Sequence, residues 1–130
     1  MTTIKETLNK EDFWVIIAGS RTFNDYETLK EFCNEVLSEK IKTHDICILS
    51  GTARGADKLG EKYAEEMGFS VNRFPAKWDL YGKSAGFIRN KEMVHYADAG
   101  IFFWDGTSKG TKHCINLCKE KGIPIRIKKI

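Results

Sequence analysis

Phe13-Trp14-Val15-Ile16-Ile17-Ala18-Gly19-Ser20-Arg21 is the stretch that decides the fold. Its continuous apolar run, ended by Gly19, reads as a strand buried on both faces. Strands of that kind belong to parallel sheets covered by helices on either side. Immediately after the run the chain turns polar and carries an arginine, at the edge where such a sheet takes its ligands.

Working outward, short apolar runs alternate with amphipathic segments. Asn24, three before Glu27, predicts a capping-box start for a helix carrying Leu29, Phe32, Cys33, Val36 and Leu37. Ile46 to Leu49 is a second strand, stopped by Ser50-Gly51, and a helix from Ala56 to Met67 comes next with Gly68 as its cap. Ser70 to Phe74 reads as a third strand, residues 76–86 as a loop, and Ala85 to Tyr96 as a helix. Gly100 to Trp104 is the fourth strand, Asp105 to Thr111 a glycine-rich turn, and Lys112 to Lys121 a helix capped by Gly122. Pro124 to Lys128 closes the pattern as a fifth strand. The expected fold is α/β, a Rossmann-like doubly wound five-stranded parallel sheet in the order 3-2-1-4-5. Residues 1–130 read as one domain, with room for a short N-terminal helix over residues 1–11.

Composition narrows the function classes. With 42% hydrophobic and 30% charged residues, the 130-residue chain is an ordinary globular one and not a disordered tail. Its net charge is +3, with basic residues spread along the chain, which argues against a dedicated nucleic-acid face. The basic end, Arg126 to Ile130, reads as a strand with solvated ends. No apolar run approaches the roughly 18 residues of a membrane span, and the polar start is no signal peptide. Cys33, Cys47, Cys114 and Cys118 lack zinc or redox spacing, so buried free thiols and a reducing cytoplasm are expected, with no metal and no cofactor.

Three strand ends open into Gly, Ser and Thr next to a helix start. They are Gly19-Ser20-Arg21, then Gly51-Thr52-Ala53-Arg54-Gly55 with Asp57, then Asp105-Gly106-Thr107 with Gly110-Thr111. Backbone amides and helix dipoles at such turns favour a phosphate, and glycine lets the ligand approach closely. Each loop alone is equally explained by helix capping. Neither a GxGxxG nor a GxxxxGK[ST] motif is present, so no standard dinucleotide or P-loop site is indicated. Arg21 and Arg54 would clamp phosphate or carboxylate, or else form surface ion pairs. Asp57 would hold a ribose hydroxyl or complement the first helical turn. Trp78 and Tyr81 would stack on a base or anchor their loop. Arg89 and Asn90, early on the helix from Ala85, would face the same crevice. His44, His95 and His113 have no matching acid and nucleophile around them.

Taken in order, these blocks resemble the SLOG superfamily, and within it the small YpsA-related single-domain group, over residues 13–128. The resemblance rests on Gly19-Ser20-Arg21, Ala53-Arg54-Gly55-Ala56-Asp57, Pro75-Ala76 with Trp78 and Tyr81, Arg89-Asn90 with Met93, and Trp104-Asp105-Gly106 with Gly110-Thr111. It implies a Rossmann-like fold whose loops hold nucleotides or their derivatives. The superfamily includes phosphoribohydrolases that cut the N-glycosidic bond of nucleoside monophosphates. Their Arg-Lys-x-x-Met block is similar to Arg89-Asn90-Lys91-Glu92-Met93, but their catalytic glutamate after Gly-Thr has no counterpart behind Gly110-Thr111. Cleavage would then need Arg89 with Asp57, Glu61 or Asp105 as the acid or base.

That departure favours a binder that senses or sequesters ADP-ribose, cyclic ADP-ribose or a related signalling nucleotide, in antiviral defence or as a sponge against it. An N-glycosidic hydrolase is the alternative, and single-stranded nucleic-acid binding a second one, disfavoured by the modest charge. The expected partners are a nucleotide-derived small molecule and further copies of the chain, with neither membrane nor nucleic acid.

Overall fold

The computed structural model describes residues 10–130. Five parallel strands form one sheet: β1 (Glu11–Gly19), β2 (His44–Ser50), β3 (Ser70–Arg73), β4 (Ala99–Trp104) and β5 (Ile125–Lys129), in the order β3-β2-β1-β4-β5. That is the expected doubly wound topology. Helices α1 (Tyr26–Leu37), α2 (Lys40–Thr43), α3 (Ala56–Met67), α4 (Trp78–Tyr81), α5 (Ala85–Tyr96) and α6 (Lys109–Lys121) make the connections.

The opening run explains the two-layered core. A strand's side chains alternate between faces, so β1 feeds both. Val15 and Ile17 pack with Leu29, Cys33 and Tyr63 of α1 and α3 on one side. Ile16 and Ala18 pack with Met93, Val94, Cys114 and Cys118 of α5 and α6 on the other. All four cysteines are buried and free. Where the Cα partners are Val15 with Ile48 and Ala99, β1 is flanked by strands of equal apolarity, as a central strand requires.

Several boundaries differ from expectation. Asp25, not Asn24, caps α1: its carboxylate accepts from the Thr28 amide at 3.1 Å and the Thr28 hydroxyl at 2.6 Å, and these bonds lower its pKa. The one-turn α2 between α1 and β2 has no apolar period to announce it. Residues 78–84 form α4 and a 3₁₀ turn, and α6 begins three residues earlier than expected, inside the glycine-rich turn. The helix expected over residues 1–11 falls almost wholly outside the described residues, and Glu11 already belongs to β1.

One tie was not foreseen. Lys121 at the end of α6 reaches the C-terminus of α5, where its ammonium donates to the carbonyls of Val94 (3.0 Å), His95 (2.9 Å) and Ala97 (2.7 Å). A cation on the open carbonyls of a helix end satisfies acceptors and opposes the negative pole. Among the described residues, no helix is long and apolar enough to cross a membrane.

Candidate functional site

The carboxyl ends of β1, β2 and β4 meet around Ser20. Its amide donates to Phe103 O at 2.9 Å, at the end of β4. Its carbonyl accepts from the amides of Phe23 and Ala56, both at 3.2 Å, and its hydroxyl accepts from the Asp105 amide at 3.3 Å. One buried serine thus joins all three loops. Gly55 permits this closeness: it sits at φ +81°, and any Cβ there would collide with the carbonyl oxygens of Ser20 and Arg21.

Two neighbouring hollows open at this rim. The larger, about 530 Å³, is lined by Arg21, Gly51, Thr52, Ala53, Arg54, Pro75, Ala76, Trp78 and Arg89. The smaller, about 60 Å³, shares Arg21, Ala53 and Arg89 and adds Ala18, Gly19, Asp57, Asn90, Met93, Ser108, Gly110, Thr111 and Cys114. Arg21 and Arg54 are exposed, and among the described residues neither has an ion-pair partner. Two unneutralised guanidiniums beside a third give the open hollow a positive lining.

Arg89 is held, not loose. Its Nη1 donates to Gly51 O and, at 3.5 Å, to Phe74 O, while its Nε donates to Asn90 Oδ1 at 2.9 Å. Asn90 Nδ2 then donates to Gly110 O at 3.1 Å, linking the β2 loop to the start of α6. Asp57, at the first turn of α3, accepts from the Ala53 amide at 3.2 Å. It is 5% exposed, and burial pushes its carboxyl up to about 6 against the opposing pull of Arg89. A Cβ built on Gly51 would lie 2.7 Å from both Arg89 Nη1 and Asp57 Oδ2, so any larger residue would displace one of these two side chains.

Thr52 holds a φ of +65°, which a β-branched residue seldom adopts. Its amide donates to Ser50 Oγ at 3.0 Å, and that hydroxyl donates to Glu61 Oε2 at 2.6 Å. Glu61 also takes Arg73 Nε at 3.0 Å and stands 3.7 Å from Lys58 Nζ. It lines a separate hollow beside β3 and braces the loop from behind, away from the crevice.

Other candidates also lie off the crevice. Asp105 accepts from the amides of Ser108 and Thr107, each at 2.8 Å, which hold its carboxyl down at about 2. It folds the turn containing Gly106 and Thr107, and none of the three lines either hollow. Tyr81 projects from α4, 44% exposed, outside both. Pro75, Ala76, Met93, Ser108 and Cys114 line the hollows without having been singled out as ligand-binding. Met93 and Cys114 were findable: each lies three positions beyond a named lining residue, Asn90 and Thr111, on the same helix face.

The sequence profile of the YspA, cpYpsA-related SLOG family matches residues 13–81. The Gene 61 protein of Mycobacterium phage D29 is 36% identical over 117 residues, covering 85% of this chain and 92% of that one. The chain belongs to this SLOG family. Among solved structures it superposes on DNA processing protein A from Streptococcus pneumoniae with a TM-score of 0.68 and 15% identity, over 90% of this chain and 50% of that one. It spans half the length of that protein. The translation initiation factor eIF-2B of Pyrococcus horikoshii OT3 superposes at 0.56 and 16% identity, over 96% of this chain and 42% of the factor. Family and fold together associate this SLOG chain with nucleotides.

One expectation is overturned. Nucleic acid was set aside as a partner because the charge is modest and spread out. A DNA processing protein carries this same fold, and the charge is not evenly spread. Residues 105–130 hold seven basic residues against two acidic ones, a net +5, offset by acidic residues earlier in the SLOG chain. Lys128 and Lys129 end β5 at the carboxyl rim, where Lys129 Nζ approaches Gly106, and Lys109 and Lys112 open α6 beside it. The whole-chain average had concealed a basic rim.

Proposed function

We propose that the crevice grips a phosphate-bearing nucleotide unit, and that this unit belongs to a single strand of nucleic acid. The observation that carries the reading is the convergence of Arg21, Arg54 and Arg89, from three separate segments, on one open hollow with half-exposed Trp78 at its mouth. Guanidiniums take phosphates and an indole face takes a base. A free signalling nucleotide such as ADP-ribose or cyclic ADP-ribose offers the same groups. The strand is favoured by the basic rim beyond the hollow, by the hollow's exposure to solvent, and by the likeness to a DNA processing protein. Fluorescence anisotropy with labelled oligothymidylate, titrated at several salt concentrations, tests this. Submillimolar binding with a steep salt slope supports it. Tight, weakly salt-dependent binding of ADP-ribose with no binding of the oligonucleotide overturns it.

A second reading has its own observation. Asp57, raised to about 6 beside Arg89 at the floor of the site, is suited to donate a proton to a departing base while the guanidinium holds the phosphate. With no glutamate after Gly110-Thr111, Asp57 is the one carboxylate in the two hollows among the described residues. Chromatography of nucleoside monophosphates after incubation decides it: free base supports N-glycosidic cleavage, and unchanged nucleotide with every base excludes it.

A further inference from the structure

We infer that the segment from Lys77 to Phe87 is a stacking platform for the bases of a strand that extends beyond the crevice. This inference rests on the strand reading above and names the surface it would use. Trp78, Leu80, Tyr81 and Phe87 are 50%, 68%, 44% and 48% exposed, all within ten residues. That concentration of half-exposed large apolar side chains marks a contact surface and not the scattered apolar residues any protein shows. Their arrangement says what kind of contact. Trp78 lies at the crevice mouth, and its ring tip would lie 3.5 Å from a Cβ on Gly86, the neighbour of Phe87. Tyr81 sits one turn after Trp78 on α4, so both rings leave the same side of that helix. Phe87 stacks on His113 with ring centroids 4.1 Å apart and planes at 17°, so one face is fixed and the other is open.

Charge and shape identify the occupant. Lys77 and Lys83 are interleaved with the aromatics, Asp79 is the single acid among them, and the row begins at the guanidiniums. Aromatic faces alternating with ammonium groups, continuous with an anion site, suit a polymer that presents flat bases on a phosphate chain. An aliphatic protein partner would gain nothing from the adjoining unpaired arginines. The platform also gives Tyr81 a place that the crevice denies it.

Binding of oligothymidylate of about a dozen nucleotides is compared with an abasic strand of equal length, for the native chain, Tyr81→Ala and Phe87→Ala. Each variant is expected to lose roughly tenfold on oligothymidylate, in line with one stacked base, and nothing on the abasic strand. Phe87→Trp is expected to bind at least as well as the native chain. Equal losses on both strands, or no loss on either while the native chain still binds, overturn the platform and leave the strand reading standing. A native chain that binds neither strand removes both. Light scattering that shows Phe87→Ala abolishing a dimer assigns the patch to contact between copies and overturns the platform as well.

Discussion

Asp57 and Arg89 flank Gly51 so closely that a single methyl group there would touch both, one carboxylate oxygen and one guanidinium nitrogen at 2.7 Å each. The pair lines the hollow proposed to take a phosphate, so the protonation of Asp57 is expected to affect both stability and affinity.

Asp57 titrates near 6 in the folded chain, above its ordinary value of 3.8. A raised carboxyl pKa means the folded state prefers the proton. The Asp57 contribution to stability is greatest below about pH 4 and falls as pH rises through the folded value, by about 3 kcal/mol in all. Asp57→Asn removes the loss. Denaturant unfolding at about pH 5 and about pH 8 is expected to show the variant gaining more at the higher pH. An equal difference at both rejects the assignment.

The same proton bears on binding. Ionised Asp57 repels a phosphate in the hollow, so affinity for a nucleotide is expected to strengthen as pH falls from about 8 to about 5, by up to tenfold per unit. Asp57→Asn should flatten that profile. Isothermal titration across the range reads it directly, and an identical slope in the variant would refute the coupling.

Arg54 and Arg89 are predicted to differ in kind. Arg54 is exposed and has no ion-pair partner among the described residues, so Arg54→Ala should leave thermal stability unchanged and reduce the logarithmic salt slope of strand binding by about one. Arg89 holds Gly51, Phe74 and Asn90, so Arg89→Ala should lower stability by about 1–3 kcal/mol as well as affinity. Scanning calorimetry paired with anisotropy separates the two. Equal melting temperatures would show that Arg89 is no brace.

Thr52 is strained and Ser50 with Glu61 holds it so. Thr52→Gly relieves about 1–2 kcal/mol of left-handed strain and is expected not to lower the melting temperature, while nucleotide affinity drops severalfold because the loop loosens. Ser50→Ala leaves the half-buried Thr52 amide and Glu61 Oε2 without their Ser50 partner and should cost about 1–3 kcal/mol. An unaltered affinity in Thr52→Gly would show that the strain serves nothing here.

Most of the fold was legible in the sequence because long-range order tracked local pattern. The unbroken run at Phe13 to Ala18 demanded cover on both faces, and β1 indeed divides its side chains between two cores. Gly68 and Gly122 end α3 and α6 in the left-handed conformation that their positions announced. The site was legible less evenly. Arginines just past strands could be placed at the rim, since strand ends fix it. Glu61 could not, because helical periodicity does not say whether its carboxylate faces Ser50 or the crevice. Asp105 counts as a candidate acid in the sequence, which does not show that the amides of Thr107 and Ser108 occupy its carboxylate. The charge of the last 26 residues was visible in the sequence, but only the parallel placement of β5 brings Lys128 and Lys129 to the same rim as the arginines.

Ser20 has a mechanical consequence. Because one residue's amide, carbonyl and hydroxyl are bonded to the ends of three loops, none of those loops can open without straining the other two. A guest that tightens any one of them will slow amide exchange at Phe23, Ala56 and Asp105 together, so occupancy will register as a single cooperative event and not as three local ones.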